Sequence, residues 1–534
     1  MKKLFVFTAV ALCSVAITGC KRGSGEYVDN TRAQLRIVTF DGGVGDQWLK
    51  NAARLFEEKN ADRDDFQDGR VGVQIHVSAN RGCTGGLLEY SDLNDDIYFT
   101  ENIDYYKLTN QNKLADITDI LTAPIAEEGG NTILDKIAGN LKNYMNRDGK
   151  YYAVPFYDCF YGLVYDKDLF KQNSLYLKND GSFTNDKNQF GTGPNGVAGD
   201  WDDGLPRTYA EFDSMMKKMV VKNITPFTYS SGNSTYYTAR ALTSWWSDDE
   251  GYEQTNLNYT FNGQANNIIT NIDDSGNYSV KTVQITKQNG YELRAQAGIY
   301  NALHFARDIL TSSSNNYQAY SSNYDVQDAF INNKNAGGSA KPIAMMFEGT
   351  WWENEAAQSF DEARSYYGVE EFHYGFMPIP KASESKIGDA TLMNLNDSYG
   401  FISASCENMK LAKEFFAFLH TDEQMKNFTR ETNMTRGLQY EFSESDFDQI
   451  SSYAQDLVSI KNSEHAKVVY PYSGLDFVIN NSDTFSTKSW PWSTKSYTDN
   501  PIIKFIDDKG LSAKTYFNDH VSALGSTEWS RIIN

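Results

Sequence analysis

Few residue patterns in this 534-residue chain have the spacing that catalysis requires. The six histidines are scattered, and none forms a pair with the spacing of zinc ligands. There is no Gly-x-Ser-x-Gly nucleophile motif and no phosphate-binding loop with a Walker lysine. Residues 191–196 match the dinucleotide-binding glycine pattern, but they lie in a polar stretch without a strand before or a helix after them. These patterns argue against zinc peptidase, serine hydrolase and dinucleotide-binding chemistry.

A pair of carboxylates for glycoside hydrolysis stays open as an alternative. The chain has 70 Asp and Glu residues, and an acid–base pair can come from distant positions of a sequence. Spacing alone therefore does not exclude a polysaccharide hydrolase.

One stretch of the chain concentrates hard oxygen ligands. Asn195, Asp200, Asp202 and Asp203 lie close together between glycines. Calcium takes six to eight such oxygens, although the spacing departs from an EF-hand, which needs a Glu at its twelfth position. The stretch is interpreted either as a structural calcium site or as a solvated turn. We expect no required cofactor.

The composition favours a polar, ring-shaped ligand over nucleic acid. The formal charge is −21, which opposes phosphate binding. Hydrophobic residues make up 40 %, enough for a sizeable core. The 34 Tyr and 9 Trp offer flat apolar faces with a polar edge, and those that are exposed would suit such a ligand, although packing in the core or at its rim is the alternative for most of them.

The elements that would position these residues follow an α/β pattern. Residues 35–40, 71–77 and 96–99 are predicted strands, and a helix follows the loop at 41–46. Strands that alternate with helices indicate a largely parallel sheet covered on both faces. Ligands bind such sheets at the carboxyl ends of their strands, where residues 41–46 and 100–104 lie.

Further along the chain, polar insertions interrupt the pattern. Residues 171–206 show no helical periodicity and are predicted to form a surface insertion, and residues 250–290 to form strands and turns. Thr208 and Glu211 predict a capping box for a helix with Phe212, Met215 and Met219 on one face. Residues 343–347 predict a buried strand and 374–380 an edge strand. The tail from 441 is mixed and rich in Tyr and Trp.

The N-terminus predicts export and a lipid anchor. Residues 1–19 have a charged start and a short apolar run, typical of a signal peptide. Small residues precede Cys20, as in a bacterial lipobox, so Cys20 is expected to carry fatty acyl chains. This lipid would hold the protein at the outer face of the plasma membrane, with residues 20–32 as a tether.

Of the other cysteines outside the signal peptide, Cys83, Cys159 and Cys406 are expected either as free thiols or with one disulfide bridge between two of them.

The order of several motifs resembles the solute-binding proteins of ABC importers, in particular the carbohydrate binders similar to maltose-binding protein. The motifs are Asp-Ile-Tyr-Phe-Thr at 96–100, Gly-Lys-Tyr-Tyr-Ala-Val-Pro at 149–155, Pro-Arg-Thr-Tyr-Ala-Glu-Phe at 206–212, Ala-Met-Met-Phe-Glu-Gly-Thr-Trp at 344–351, and the helix pair around 412–423. Each motif alone is weak. Five in the family's order, behind a lipobox, make the resemblance specific.

The resemblance implies two α/β lobes joined by a hinge, with a ligand cleft between them. Lobe 1 would comprise residues 33–157 and 399–440, and lobe 2 residues 158–398 and 441–534. The implied function is capture of a carbohydrate, an oligosaccharide in our interpretation, and its delivery to an ABC permease, without catalysis. We expect a monomer that contacts the membrane only through its lipid. A surface-anchored glycan-binding protein or a polysaccharide hydrolase is the alternative.

The resemblance also implies which residues contact the ligand. Trp351 stands where the family has a stacking Trp, and only one of the pair Trp351 and Trp352 should face the cleft. Asp41, Glu101 and Asn102 follow strands, Tyr157 and Asp158 lie at the first crossover, and Tyr229, Asn233 and Tyr236 come from a loop that reaches the cleft in the family. At the crossover the family's acidic position matches Cys159 here. Trp490 and Trp492 are further candidates from the tail.

Overall fold

The structure is a computed structural model, and it describes residues 27–232, 236–395, 398–481, 485, 492, 494 and 500–534. The predicted signal peptide, Cys20, Asn233 and Trp490 lie outside the described residues. No helix in the described part of the chain is both long enough and apolar enough to cross a membrane.

The strands are, in chain order, β1 (Ala33–Phe40), β2 (Val73–Asn80), β3 (Ile97–Thr100), β4 (Val154–Pro155), β5 (Tyr161–Asp166), β6 (Tyr176–Leu177), β7 (Phe183–Thr184), β8 (Thr225–Ser230), β9 (Gly263–Ile272), β10 (Tyr278–Ile285), β11 (Tyr317–Tyr320), β12 (Ile343–Gly349), β13 (Tyr374–Met377), β14 (Ala390–Met393), β15 (Tyr399–Ile402) and β16 (Ala466–Val469).

The α-helices are α1 (Gln47–Lys59), α2 (Gly85–Tyr90), α3 (Tyr105–Asn110), α4 (Thr118–Thr122), α5 (Gly139–Met145), α6 (Lys167–Gln172), α7 (Tyr209–Val221), α8 (Tyr236–Glu250), α9 (Tyr252–Thr260), α10 (Ala297–His304), α11 (Asn323–Ala336), α12 (Trp352–Glu355), α13 (Ala357–Tyr367), α14 (Met409–Leu419), α15 (Asp422–Thr432), α16 (Glu444–Phe447), α17 (Ser452–Asn462), α18 (Asp476–Ile479), α19 (Pro501–Asp507), α20 (Ala513–Ala523) and α21 (Ser526–Ile533).

The first lobe is built on a five-stranded sheet in the order β2-β1-β3-β15-β4. β1 pairs in parallel with β2 and β3, and β15 runs antiparallel to β3 and β4. Its strands come from residues 33–155 and 399–402, so the chain returns to this sheet after building the second one. α1 covers the sheet with a face of Trp48, Leu49, Ala52, Ala53 and Phe56, which the apolar spacing of its sequence predicts.

The second lobe is built on a five-stranded sheet in the order β11-β8-β12-β5-β13. β8 is parallel to both neighbours, while β5 is antiparallel to β12 and β13. Every residue of β5, β8 and β12 is buried, as expected for central strands with helices on both faces. β13 lies at an edge, as Pro378 and Pro380 directly after it predicted. The two lobes form the two-lobe α/β fold that the motifs indicated.

The polar insertions contain small sheets of their own, but residues 250–290, predicted as strands and turns, also contain the helix α9 at Tyr252–Thr260. β6 and β7 make a short hairpin within residues 171–206, and β9 and β10 make a longer one within 250–290. α17 from the tail packs on β13 of the second lobe. Cys83, Cys159 and Cys406 are free thiols, so no disulfide joins them.

The start of α7 differs in one detail from the predicted capping box. Thr208 caps the helix as expected, with its hydroxyl accepting from the Glu211 backbone N–H at 3.3 Å. The Glu211 carboxylate, however, accepts from the backbone N–H of Arg207 at 2.7 Å and also contacts the Arg207 guanidinium. In a standard capping box this carboxylate accepts from the N–H of the N-cap residue, here Thr208. The attraction of the Arg207 guanidinium explains why it accepts from the N–H of Arg207 instead.

Candidate functional site

A cavity of about 690 Å³, here called the interlobe cavity, lies where the strand ends of the two sheets face each other. From the first lobe it is lined by Phe40, Asp41, Gly42, Gly43, Arg81, Glu101, Asn102 and Tyr157. From the second lobe and the tail it is lined by Tyr161, Tyr236, Tyr237, Ala239, Arg240, Thr243, Trp351, Glu355, Trp492 and Asn500.

Strand direction explains why these residues meet. Asp41, Arg81 and Glu101 each come directly after β1, β2 or β3, whose parallel alignment brings their carboxyl ends to one edge of the sheet. In the second lobe, Trp351 follows β12, and Tyr161 begins the antiparallel β5 at the same edge. The two edges therefore supply both walls of the cavity.

Two larger cavities, of about 930 and 1170 Å³, are weaker candidates. The first lies at the opposite edge of the first sheet, against Gln34, Arg36 and Asp95. The second is lined largely by charged side chains around α15. Neither has a tryptophan among its described lining residues, and neither lies at the strand ends where the lobes meet.

An aromatic wall forms one side of the interlobe cavity. The rings of Tyr161 and Trp351 have centroids 4.9 Å apart, and those of Tyr237 and Trp351 5.7 Å apart, both at steep angles. Trp351 is 7 % exposed. Trp352 is instead fully buried against Phe330 and other rings of the second lobe. As expected, one member of the tryptophan pair faces the cavity and the other packs in the core.

A buried arginine stands beside this wall. The Arg240 guanidinium lies 5.0 Å from the centre of the Tyr161 ring and 4.9 Å from that of Tyr236, and it donates to the Tyr161 hydroxyl. Such contacts favour a planar cation held between rings. Arg240 therefore presents fixed hydrogen-bond donors at the cavity wall.

Carboxylates supply acceptors around the same cavity. The Tyr157 hydroxyl donates to Glu101, and burial raises the pKa of Glu101 to about 7. Glu355 accepts from Asn323 Nδ2 at 2.7 Å and from Gln327 Nε2 at 2.8 Å, and burial raises its pKa too. Together with Arg240, these groups can accept from and donate to the hydroxyls of a polar ligand.

The two lobes touch at the cavity mouth. Asn354 Nδ2 donates to the backbone carbonyl of Gly43 at 2.6 Å. Gly43 also lies against the Trp351 side chain, so that a Cβ at this position would come within 2.5 Å of Trp351 Cδ1. The absence of a side chain at Gly43 is what allows this approach.

The structure brings together six of the nine predicted contact residues. Asp41, Glu101, Asn102, Tyr157, Tyr236 and Trp351 line the interlobe cavity. Their contact with a ligand stays a prediction.

Asp158 and Tyr229 have other environments, and Asn233 lies outside the described residues. Asp158 is 1 % exposed and forms an ion pair with Lys461 while accepting from Thr435 Oγ1 at 2.9 Å. Tyr229 packs in the second lobe against Tyr317, with ring centroids 6.0 Å apart. Asp158 and Tyr229 do not line the interlobe cavity, contrary to the prediction, since position beside a crossover or strand end does not fix the direction of a side chain.

Sequence reasoning missed Tyr161, Tyr237, Arg240, Thr243 and Glu355. Arg240 and Thr243 lie four and seven residues after Tyr236 on α8, so one face of this helix reaches the cavity. This helical spacing from Tyr236 is the sequence feature that would have predicted Arg240 and Thr243 at the cavity. Trp492 lines the cavity as the tail candidate, and its Nε1 donates to Thr243 Oγ1 at 2.7 Å.

The predicted oxygen cluster lies elsewhere. Asp200, Asp202 and Asp203 bring carboxylate oxygens within 4.8 Å of one another, and none of them lines the interlobe cavity. Within the described residues, this is the one group of His, Cys, Asp or Glu side chains close enough to hold a metal ion together.

Comparison with known proteins gives a match to one sequence family and to several solved structures. The model of the family described as bacterial extracellular solute-binding protein matches residues 89–426. No curated protein matches the chain.

The apo form of RafE from Streptococcus pneumoniae superposes with a TM-score of 0.55 at 14 % identity, covering 94 % of this chain and all of that one. RafE in complex with raffinose gives 0.53 at 14 % identity, over 92 % of this chain and all of that one. The maltotriose-binding protein of Thermus thermophilus, bound with maltotriose, gives 0.52 at 15 % identity, over 94 % of this chain and all of that one. At sequence identities this low, the superpositions show a similar fold and nothing more.

Proposed function

This chain belongs to the bacterial extracellular solute-binding protein family, and from that membership we propose that it captures a carbohydrate, specifically an oligosaccharide, between its lobes. The observation that carries the proposal is the interlobe cavity. It combines an aromatic wall at Trp351 and Tyr161 with hydroxyl-binding groups at Glu101, Glu355 and Arg240. Sugar rings present apolar C–H faces to aromatic rings and hydroxyls to carboxylates and guanidinium groups.

The fold supports oligosaccharides as the class to test first. The similar structures include complexes of raffinose with RafE and of maltotriose with the Thermus thermophilus protein. The cavity volume of about 690 Å³ lies in the range of small-molecule sites.

We further propose that the protein works as the lipid-anchored receptor of an ABC importer. Cys20 follows the predicted signal peptide and would hold the mature chain at the outer face of the plasma membrane. Ligand would stabilise the closed lobes, whose contact at Gly43 and Asn354 lies at the cavity mouth. Closure around ligand would present a new surface to the permease, as hinge-closing binding proteins do.

The binding role is tested by calorimetric titration of the purified protein with raffinose, maltotriose and chitin oligosaccharides. We expect one sugar per chain for at least one of them, and the sugar recovered chemically intact after prolonged incubation. Cleaved products would support the hydrolase alternative, since Glu101 has the raised pKa that a general acid needs. Binding of none of these neutral sugars would contradict the proposed cargo. Uptake of the bound sugar is then measured in cells with and without the permease. A receptor of an importer should bind sugar in both but support uptake only where the permease is present, whereas a surface glycan-binding protein should bind without any effect on uptake.

A further inference from the structure

The loop at residues 193–204 of the polar insertion is held closed at both ends by backbone hydrogen bonds. Gly191 N donates to the carbonyl of Leu177 at 2.8 Å, and Leu177 N donates to that of Gly204 at 2.8 Å. Gly204 N in turn donates to Gly191 at 2.7 Å. The loop is therefore a defined part of the second lobe, attached to β6.

Inside this loop, N–H groups hold all three carboxylates, Asp202 and Asp203 on one oxygen and Asp200 on both, since Asp200 Oδ1 also accepts from the Asp202 backbone N–H at 3.4 Å. Asp200 Oδ2 accepts from Asn195 Nδ2 at 2.6 Å, and Asp202 Oδ2 accepts from the Asn195 backbone N–H at 2.9 Å. Asp203 Oδ2 accepts from the Gly199 backbone N–H at 2.8 Å. These bonds fix the direction of all three side chains.

The other oxygens of two of these carboxylates have no protein partner. Oδ1 of Asp202 and Oδ1 of Asp203 are buried and without a hydrogen bond, and Asp202 is 0 % exposed. One oxygen from each of the three side chains lies within 4.8 Å of those of the other two. A buried carboxylate oxygen without a donor is strongly unfavourable, and neighbouring like charges increase the cost.

Within the described residues, no Lys, Arg or His side chain forms an ion pair with any of these three aspartates. Buried carboxylates elsewhere in the protein are instead neutralised by a lysine, as Asp158 is by Lys461 and Asp166 by Lys334. In this loop, Lys187 attracts Asp203 only from beyond ion-pair distance, so in the part of the chain that the structure describes the converging oxygens have no cation in direct contact.

We propose that Asp200, Asp202 and Asp203 bind one calcium ion that fastens this loop to the second lobe. Calcium–oxygen bonds of about 2.4 Å place two bound oxygens at most about 4.8 Å apart, as the three carboxylates are. An irregular loop with backbone carbonyls suits the variable coordination of calcium better than the strict octahedron of magnesium. Asn195, a further predicted ligand, positions two of the carboxylates through its N–H groups, and its Oδ1 accepts from the Val197 backbone N–H at 2.7 Å.

The place of the loop indicates a structural role. Gly388 N donates to the carbonyl of Pro194 at 3.2 Å, so the loop also contacts the segment that leads to β14. None of the three aspartates lines the interlobe cavity. We therefore expect the ion to stabilise the second lobe and to leave sugar affinity unchanged.

The test is titration of the metal-free protein with calcium chloride by calorimetry, with melting measured in calcium, magnesium or chelator. We expect one calcium per chain with a dissociation constant on the order of 10⁻³ M or tighter, as in extracellular modules. The melting temperature should rise with calcium and not with magnesium at equal concentration.

The aspartates are tested by Asp202→Asn and Asp203→Asn. Each should weaken calcium binding at least about tenfold and remove the calcium-dependent rise in melting temperature. Asp180→Asn is the matched control, because Asp180 lies in the same insertion and its carboxylate accepts two hydrogen bonds of a local turn, from Ser182 N at 2.9 Å and from Ser182 Oγ at 2.6 Å. This variant should keep the full calcium response.

Melting in chelator separates lost binding from lost structure. Asp202→Asn should then melt no lower than the parent, because a neutral amide of the same shape replaces a buried carboxyl group that stands beside two other carboxylates. A parent protein that takes up no calcium and melts independently of chelator would overturn the proposal, whether or not the variants fold. An equal response to magnesium, or a calcium response that survives both substitutions, would overturn it as well.

Discussion

Adjacent residues can have opposite roles, as Trp351 and Trp352 show. β12 ends at Gly349, and the turn into α12 sends the two rings in different directions. Trp351 lies against Gly43 and Tyr161 at the interlobe cavity, whereas Trp352 packs against Phe330 in the core of the second lobe.

Replacing Trp351 should remove most of the sugar affinity. We expect Trp351→Ala to weaken binding more than tenfold, because a stacking aromatic at a binding hot spot contributes about 2 kcal/mol or more. Calorimetry with the best oligosaccharide measures the loss. Trp352→Phe is the matched control, and it should lower stability while keeping affinity within about threefold. Unchanged affinity in Trp351→Ala would show that this ring only packs.

Glu101 should make the stability of the protein depend on pH. Burial raises its pKa from 4.5 to about 7, so the folded state holds the proton at pH values where the unfolded state has lost it. The free energy of unfolding should therefore fall as pH rises from about 4.5 to about 7. Urea unfolding across this range should show a steeper fall for the parent than for Glu101→Gln.

Tyr157 provides the control for this titration. Its hydroxyl donates to Glu101 and opposes the rise in the pKa of that carboxyl. Tyr157→Phe should thus extend the pH range of the stability loss upward, while its lower end stays at the pKa of Glu101 in the unfolded chain. Identical pH profiles for the parent and Glu101→Gln would contradict the assignment of this titration to Glu101.

At the scale of elements, the short helix α2 positions the loop after β3. Gly85 N donates to the Glu101 carbonyl at 3.0 Å, and Thr84 Oγ1 donates to the same carbonyl at 2.8 Å. A Cβ at Gly85 would come within 2.2 Å of the Asn102 carbonyl oxygen. The start of the helix therefore packs so closely against the backbone of Glu101 and Asn102 that no side chain fits at Gly85.

Gly85→Ala should disturb the cavity through this contact. The added methyl group must push the Asn102 backbone aside, which we expect to cost about 1–3 kcal/mol of stability and to weaken sugar binding. Gly86→Ala is the matched control in the same helix, since nothing lies within 4 Å of its Cβ position. It should be neutral or stabilise by up to about 1 kcal/mol. Equal effects of the two substitutions on melting and affinity would refute this account.

At the scale of the whole molecule, a buried ion pair ties the first crossover to the tail. Asp158 and Lys461 are 303 residues apart in sequence, and their side chains are 2 % and 6 % exposed. Lys461 also donates to the Arg436 carbonyl, at the end of the first lobe's second segment. Three parts of the chain therefore meet at this pair.

Removing one partner should destabilise the fold strongly, and removing the second should then add less than it does alone. Asp158→Asn or Lys461→Met alone leaves a buried charge, at a cost of about 3–5 kcal/mol. The double variant should lose clearly less than the sum of the two single variants. Chemical unfolding of all four proteins gives the coupling energy, and strict additivity would show that the pair is not coupled.

Anchoring also belongs to the scale of the whole molecule. We expect Cys20→Ser to block incorporation of labelled fatty acid, because the thiol is the attachment point of the lipid. Cys406→Ser is the control, since Cys406 is a free thiol of the folded body and should not alter labelling. Labelled fatty acid that still enters Cys20→Ser would disprove the lipobox interpretation.

Local patterns in the sequence determined the elements and the family. Apolar spacing predicted β1, α1 and α7, and alternating strands and helices predicted the α/β class. The motif order predicted the two-lobe fold, and strand ends predicted Asp41, Glu101 and Asn102 at the cavity. These features depend on residues that are close in sequence, where hydrophobic periodicity and turn residues act directly.

Only the tertiary structure decided which distant residues meet and where each side chain points. Tyr161, Arg240 and Trp492 reach one cavity because two sheets built from separate segments face each other across the hinge. Asp158 follows Tyr157 directly, yet Tyr157 faces Glu101 while Asp158 turns to Lys461. Such contacts arise from the packing of whole helices and strands against each other. The distance between two residues along the chain does not determine whether they meet in the fold, so the sequence alone does not predict these contacts.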